Sequence, residues 1–226
     1  MKKTLFLAVV AASVLFCSCV STYTRESQYP KMYSEHPATI LVMPPINNTT
    51  NVEAKDLLYT SISYPLIEAG YYVVSPHLAM EMLKAESAYD AELFVDKDAG
   101  VFARVFGADA VVFSEINTWQ KEGFGIRTDI HYWVKSTTTN EILFERRCDL
   151  YLDLNQSTNN NNGGLLGALV DIATSAIATA VTDHIVAARK CNNYIFQDIP
   201  RGKYSPDYQK DKELSASERN TRVTVR

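Results

Sequence analysis

The chain has 226 residues, 46% hydrophobic and 21% charged, which is ordinary for a globular protein and enough for one domain with a sizeable core. Its formal charge of −4, which becomes −6 if Lys2 and Lys3 are lost with a signal peptide, argues against a general affinity for nucleic acid.

Residues 1–19 read MKKTLFLAVVAASVLFCSC: two lysines, an apolar run from Thr4 to Phe16, then cysteine. This is the layout of a secretory signal, and the run is shorter than the roughly 20 apolar residues that cross a bilayer. A cysteine after a small residue is similar to the bacterial lipobox. Cys19, preceded by Ser18 and with Phe16 at the third position back, fits better than Cys17, which would put bulky Phe16 at the cleavage point. The lipobox prefers Leu where Phe16 stands. Residues 1–18 are therefore assigned to a lipoprotein signal peptide, with Cys19 lipidated and 19–37 as a tether. Acyl chains contribute about 0.8 kcal/mol per buried methylene, so several together hold a soluble domain on a membrane. VSTYTRES lacks the acidic cluster of surface-exported lipoproteins, which favours the periplasmic face of the outer membrane.

The domain is expected over 38–200. Thr39 to Met43 is a short apolar run closed by Pro44 and Pro45. Asn47 to Asn51 is turn material, and Thr50 with Glu53 three residues on predicts a capping box and a helix from about Asn51. Ala54, Leu57, Leu58, Ile62, Leu66 and Ala69 form its apolar face, Pro65 should bend it, and Gly70 ends it. Tyr71 to Val74 predicts a second buried strand, parallel to the first. Helices are then expected from Pro76 to about Lys84 and from about Leu93 to Phe106, stopping at Gly107. Ala110 to Phe113, apolar throughout, predicts a central strand covered on both faces.

From Ile126 the period becomes two. Ile126, Thr128, Ile130, Tyr132 and Val134 alternate with Arg127, Asp129, His131, Trp133 and Lys135, and Ile142 to Leu154 repeats the pattern after the turn TTTN. The two predict an antiparallel hairpin on the edge of the parallel layer. Arg146 falls on its inward side, where it requires an acidic partner or a place at the rim. Residues 155–164, NQSTNNNNGG, predict a loop, and Leu165 to Arg189 a long helix rich in small residues lying across the sheet. Residues 201–226 carry seven basic and four acidic residues and predict a polar tail, disordered past Tyr208. The fold class is α/β: a single three-layer domain whose mixed sheet has a parallel strand–helix–strand core, an added antiparallel hairpin, and the small-residue helix packed on it.

YPKMYSEHPATILVMPPINNTTNVEAKDLLYTS, PLIEAGYYVVSP, FGADAVVFSEI and PRGKYSPDYQKD together resemble a family of uncharacterised bacterial lipoproteins that includes a neisserial vaccine antigen. The resemblance spans roughly residues 29–212. It implies a fold similar to the amino-terminal domain of TolB and the periplasmic domain of CsgG, a role in an envelope secretion or transport assembly, and self-association. It supplies no catalytic residues.

No site chemistry stands out. His36, His77, His131 and His184 are scattered, no CxxC pair occurs, and no phosphate-cradling loop or GxSxG elbow is present, so neither a metal, a cofactor nor an enzymatic reaction is expected. Asp183 and His184 are adjacent and read as an exposed helix end. Trp133, on the polar side of its strand, is a candidate contact residue. Cys148 and Cys191 could pair in an oxidising compartment or remain two buried thiols. Two readings follow. One is a non-catalytic, lipid-anchored module that docks to other envelope proteins. The other is a periplasmic binder of a small ligand or cell-wall fragment, with Pro44, Pro45, Asn47, Asn48, Thr49 and Thr50 at its mouth, since ligands of open α/β sheets sit at the carboxyl ends of strands.

Overall fold

The computed structural model describes residues 23–154 and 176–225, so the signal segment, Cys19, the Asn-rich loop and the start of the long helix lie outside the described residues. In chain order the elements are α1 (Arg25–Gln28), α2 (Pro30–Glu35), β1 (Thr39–Val42), β2 (Ile46–Asn47), α3 (Ala54–Glu68), β3 (Tyr72–Val73), α4 (Pro76–Ala85), α5 (Gly100–Phe106), β4 (Ala110–Glu122), β5 (Gly125–Ser136), β6 (Ile142–Asp153), α6 (Ala176–Phe196) and β7 (Asn220–Val225). The strands make one seven-stranded mixed sheet in the order β3-β1-β4-β5-β6-β7, with β2 on β4.

Parallel pairing joins β3, β1 and β4, and antiparallel pairing joins β4, β5 and β6. β1 alternates between two apolar cores: Ile40 and Val42 face α3 and α6, whereas Leu41 and Met43 face α4 and α5. The α3/α6 layer spans the whole sheet, from Ile40 to Leu150, Leu152 and Val223. The α4/α5 layer is smaller. Through Ala79, Leu83, Phe102 and their neighbours it covers Leu41, Val111, Phe113 and Trp133 and reaches no further. The far half of that sheet face is left without a helix among the described residues.

Several expectations change. Helix α3 begins at Ala54 with Glu53 as N-cap, and no side chain caps it, because Thr49, Asn47 and Asn51 bond within their own turn instead of Thr50 capping a helix. Pro44 and Pro45 close β1, yet the chain resumes as β2 on the same neighbour. β3 is the edge of the sheet and not a buried strand: Tyr72 is 59% exposed. The helix expected from Leu93 shortens to Gly100–Phe106, after a single 3-10 turn at Ala91–Leu93. β4 runs on to Glu122, 13 residues and more than three times the length of its apolar stretch Ala110 to Phe113, because β5 offers a partner along its whole length.

The tether and tail expectations also change. Thr24 caps α1 by accepting from Ser27 N, and Tyr29 and Met32 are buried, Tyr29 with its ring 4.6 Å from that of Phe144. Aromatic residues placed without period can still dock a segment on a finished core. The disorder expected past Tyr208 gives way to order. Asp211, buried, accepts from Arg25 at 3.0 Å and from Arg201 N at 2.9 Å, and Asn220–Val225 adds a parallel strand to β6. That polar tail orders because its partners are backbone groups and opposite charges supplied by the rest of the chain.

Arg146 does have the acidic partner that its inward position requires. Its guanidinium is buried against Asp198 and donates to Ile195 O at 2.8 Å, Glu218 O at 3.2 Å and Thr221 Oγ1 at 3.3 Å. Two consecutive structural units, the end of α6 and the start of β7, are thereby tied to one strand.

Candidate functional site

The half of the sheet face that no described helix covers is built by register. Glu115, His131, Arg147 and Asn220 stand opposite one another on β4, β5, β6 and β7. The next row is Thr118, Asp129, Asp149 and Arg222, and the one after is Gln120, Arg127, Tyr151 and Thr224. A register shift between Ile116 and Thr118 keeps β4 in step with these rows. Side chains alternate across a strand, so the apolar residues between these positions all face the α3/α6 core while the polar ones share the open face.

The charges on this face are engaged with one another. Arg127 donates to Glu122 Oε2 at 2.6 Å and to Asp149 Oδ1 at 2.7 Å, and Arg222 reaches Asp149 Oδ2 at 2.7 Å. Arg147 pairs with Asp129 at 2.5 Å, and His131 Nε2 lies 2.9 Å from Glu145 Oε1. These bonds hold the Glu122 carboxyl below its usual range and raise the Arg127 and Arg147 guanidinium values further, each through the hydrogen bond to its partner. The result is a lattice of paired charges, carboxylates in excess, with Asp129 and Asp149 side by side across β5 and β6.

An open cleft of about 530 Å³ lies in the first row, lined by Glu115, Asn117, His131, Glu145, Arg147, Arg219 and Asn220 among others. A second, of about 320 Å³, continues it past Asp129, Asp149 and Arg222. Asn48 stands at the rim of the first and donates to Glu115 Oε1 at 2.6 Å and Asn117 Oδ1 at 3.3 Å.

Of the sequence-predicted edge residues, Asn48 alone bonds to residues that line this cleft. Pro44 and Pro45 are buried. Asn47 accepts from Thr49 N and Oγ1 at 3.1 and 2.8 Å and donates to Asn51 O at 2.8 Å, so Asn47 and Thr49 build the turn. Thr50 is exposed beside them. Trp133 is buried and stacks on Phe113 with centroids 5.6 Å apart, which corrects its reading as a contact residue. His184 is no exposed helix end either: its Nδ1 accepts the indole N–H of Trp119 at 2.8 Å. The alternation of β5 and β6 exposes their wet sides, Arg147 and Asp149 included, but not the contribution of Arg222, because nothing in the polar sequence of residues 201–226 marks a strand.

Cys148 and Cys191 are both free and fully buried, with their sulfurs 3.9 Å apart. Among the described residues no group of three or more His, Cys, Asp or Glu could hold a metal ion, and no helix is long and apolar enough to cross a membrane.

Residues 27–200 match the family described as "Putative lipoprotein GNA1162-like". The chain is 28% identical over 179 residues to "Putative lipoprotein NMB1124/NMB1162" of Neisseria meningitidis serogroup B, a span of 77% of this chain and 81% of the relative. Among solved structures, lipoprotein GNA1162 from Neisseria meningitidis matches with a TM-score of 0.48 and 25% identity, over 65% of this chain and 99% of that one. The LpoB C-terminal domain from Escherichia coli matches with a TM-score of 0.34 and 17% identity, over 55% of this chain and 96% of that domain.

Proposed function

The chain belongs to the GNA1162-like lipoprotein family, and from that premise we propose that it is a non-catalytic module, lipidated at Cys19 on the periplasmic face of the outer membrane, whose open charged sheet face docks another envelope protein of a secretion or transport assembly. The observation that carries this reading is the half-face of β4 to β7 that no helix covers among the described residues. A sheet face normally packs under a helix or meets water with scattered polar groups. Here the rows from Glu115 to Arg222 present an array of paired charges with open clefts among them, a surface suited to register-specific recognition of a complementary protein face.

The helix cap at Thr24 adds a spatial limit. Thr24 lies five positions after Cys19, and a fully extended chain spans at most about 3.6 Å per residue, so the two are no further apart than about 18 Å. A domain held that close meets partners at the membrane surface, not across the periplasm.

The test is photo-crosslinking in intact cells from Gln120 or Thr224 on the open face, compared with Tyr64 on the outside of α3. Adducts to an envelope protein from the first two positions and not the third support docking; equal yields from all three would remove it. Radiolabelled palmitate, lost in Cys19→Ala and kept in Cys17→Ala, tests the anchor.

The second reading, a binder of cell-wall fragments, gains from Asn48 at the rim of the 530 Å³ cleft. Calorimetric titration with muropeptides separates the two. Saturable binding lost in Asn48→Ala would favour the ligand binder.

A further inference from the structure

We propose that Cys148 and Cys191 are joined as a disulfide in the exported protein, stapling α6 to the middle of the sheet. Cys148 lies on β6 opposite Ile130, on the side facing the α3/α6 core, and Cys191 lies in α6 directly over it. Both thiols are 0% exposed and their sulfurs are 3.9 Å apart. Closing to a bond length of about 2.0 Å needs an approach of roughly 2 Å, within the reach of side-chain rotation combined with a small shift of the helix. Cys191 also lies 3.1 Å from Thr128 Oγ1, which fixes it on the sheet side of the helix. The amino-terminal segment directs the chain to an oxidising compartment, where facing cysteines are oxidised and the bond persists.

Timing follows from burial. The hydrogen bond with Cys148 and, after it, desolvation push the Cys191 thiol well up, so once α6 has docked its reactive thiolate is scarce and no donor can reach it. Oxidation therefore precedes docking of α6. One cysteine thiolate attacks a disulfide of a periplasmic protein thiol oxidant, giving a mixed disulfide. The second thiolate then displaces the donor, which leaves as a dithiol. The two cysteines lose two electrons and two protons, and the donor's disulfide is reduced by them. The bond closes a loop spanning 43 positions in sequence, so its largest effect falls on the unfolded chain. In the folded protein the same burial shields it from reductants. This inference rests on export alone and is independent of the docking face.

The experiment uses the full chain, expressed with its own signal segment in a Gram-negative host. Membranes are dissolved in denaturant with N-ethylmaleimide, without reductant, and analysed by intact and peptide mass spectrometry. The expected result is a chain two hydrogen atoms lighter, with Cys148 and Cys191 recovered in one cross-linked peptide and alkylated only after dithiothreitol. Complete alkylation of both before reduction, or either cysteine carrying another adduct, overturns the proposal. The thermal midpoint should fall by roughly 10 °C when the unfolding chain is reduced. A Cys148→Ala/Cys191→Ala chain should show no response to reductant; an equal fall in both overturns the staple, and the mass measurement on the unsubstituted chain stands whether or not the variant folds.

Discussion

Arg146 of β6 and Asp198, just past α6, form a buried ion pair that also gathers Glu218 O, Thr221 Oγ1 and, on the Asp198 side, Ser217 N. A buried charge is far costlier alone than paired. Asp198→Ala should therefore lower stability by about 3–5 kcal/mol, read as a shift in the urea midpoint. Arg146→Met made together with Asp198→Ala removes the stranded charge and should recover a large part of that loss. If the double variant were as unstable as the single one, the cost would lie in lost packing, not in the unpaired guanidinium.

The contact between Trp119 and His184 gives a pH dependence. Burial first, then the Lys121 charge, lower the imidazole value below 6.5, while Asp183 and Glu53 oppose this. Well above pH 6.5 the ring is neutral in both the folded and unfolded chains and adds no pH dependence. As pH falls below 6.5 the unfolded chain takes up the proton first, so stability drops until the folded value is passed. Asp183, raised by burial, works the other way at lower pH, because protonating it relieves a desolvated carboxylate. Thermal midpoints between pH 8 and 5 should fall, and His184→Gln, which can still accept the indole N–H, should flatten the fall. An unchanged slope in that variant would assign the effect elsewhere.

How far the sequence carried depends on whether the signal was local. β5 and β6 were readable because Ile126 to Val134 alternate, and a period of two needs no knowledge of the partner. α3 was readable from Leu58, Ile62 and Leu66. What escaped were segments ordered by distant groups. Arg25 and Asp211 bond across 186 positions, and nothing near either residue announces the other. The open face failed for the same reason: Asp149 is an ordinary polar strand residue until register sets Arg127 and Arg222 beside it.

Gly70 supplies a prediction about the tail. Its φ is +93°, outside the comfortable range of other residues, and a Cβ there would lie 2.4 Å from Ser205 N. The same turn receives hydrogen bonds from Gly202 N to Ala69 O and from Tyr204 N to Gly70 O, each 2.9 Å. Gly70→Ala should cost about 1–3 kcal/mol through the backbone conformation alone, and more through the displaced segment. Amide exchange should quicken at Gly202 and Tyr204 before it does in β4. Uniform quickening would mean that the whole fold, not this junction, depends on Gly70.

The docking face can be tested by charge alone. Arg222 is the most exposed member of the lattice, its side chain 85% accessible, and it meets Asp149 at 2.7 Å. A surface pair of this kind contributes little to stability, so Arg222→Glu should leave the urea midpoint nearly unchanged. It also places a third carboxylate beside Asp149 and Asp129 and reverses the sign of one whole corner of the face. If that corner meets a partner, the yield of adducts from Thr224 should fall several-fold, and a compensating cationic substitution at Asp149 should restore part of it. Loss of yield together with a lowered midpoint would trace the effect to folding. Unchanged yield with an unchanged midpoint would move the interface away from β7, toward the Glu115 and Asn48 end of the sheet.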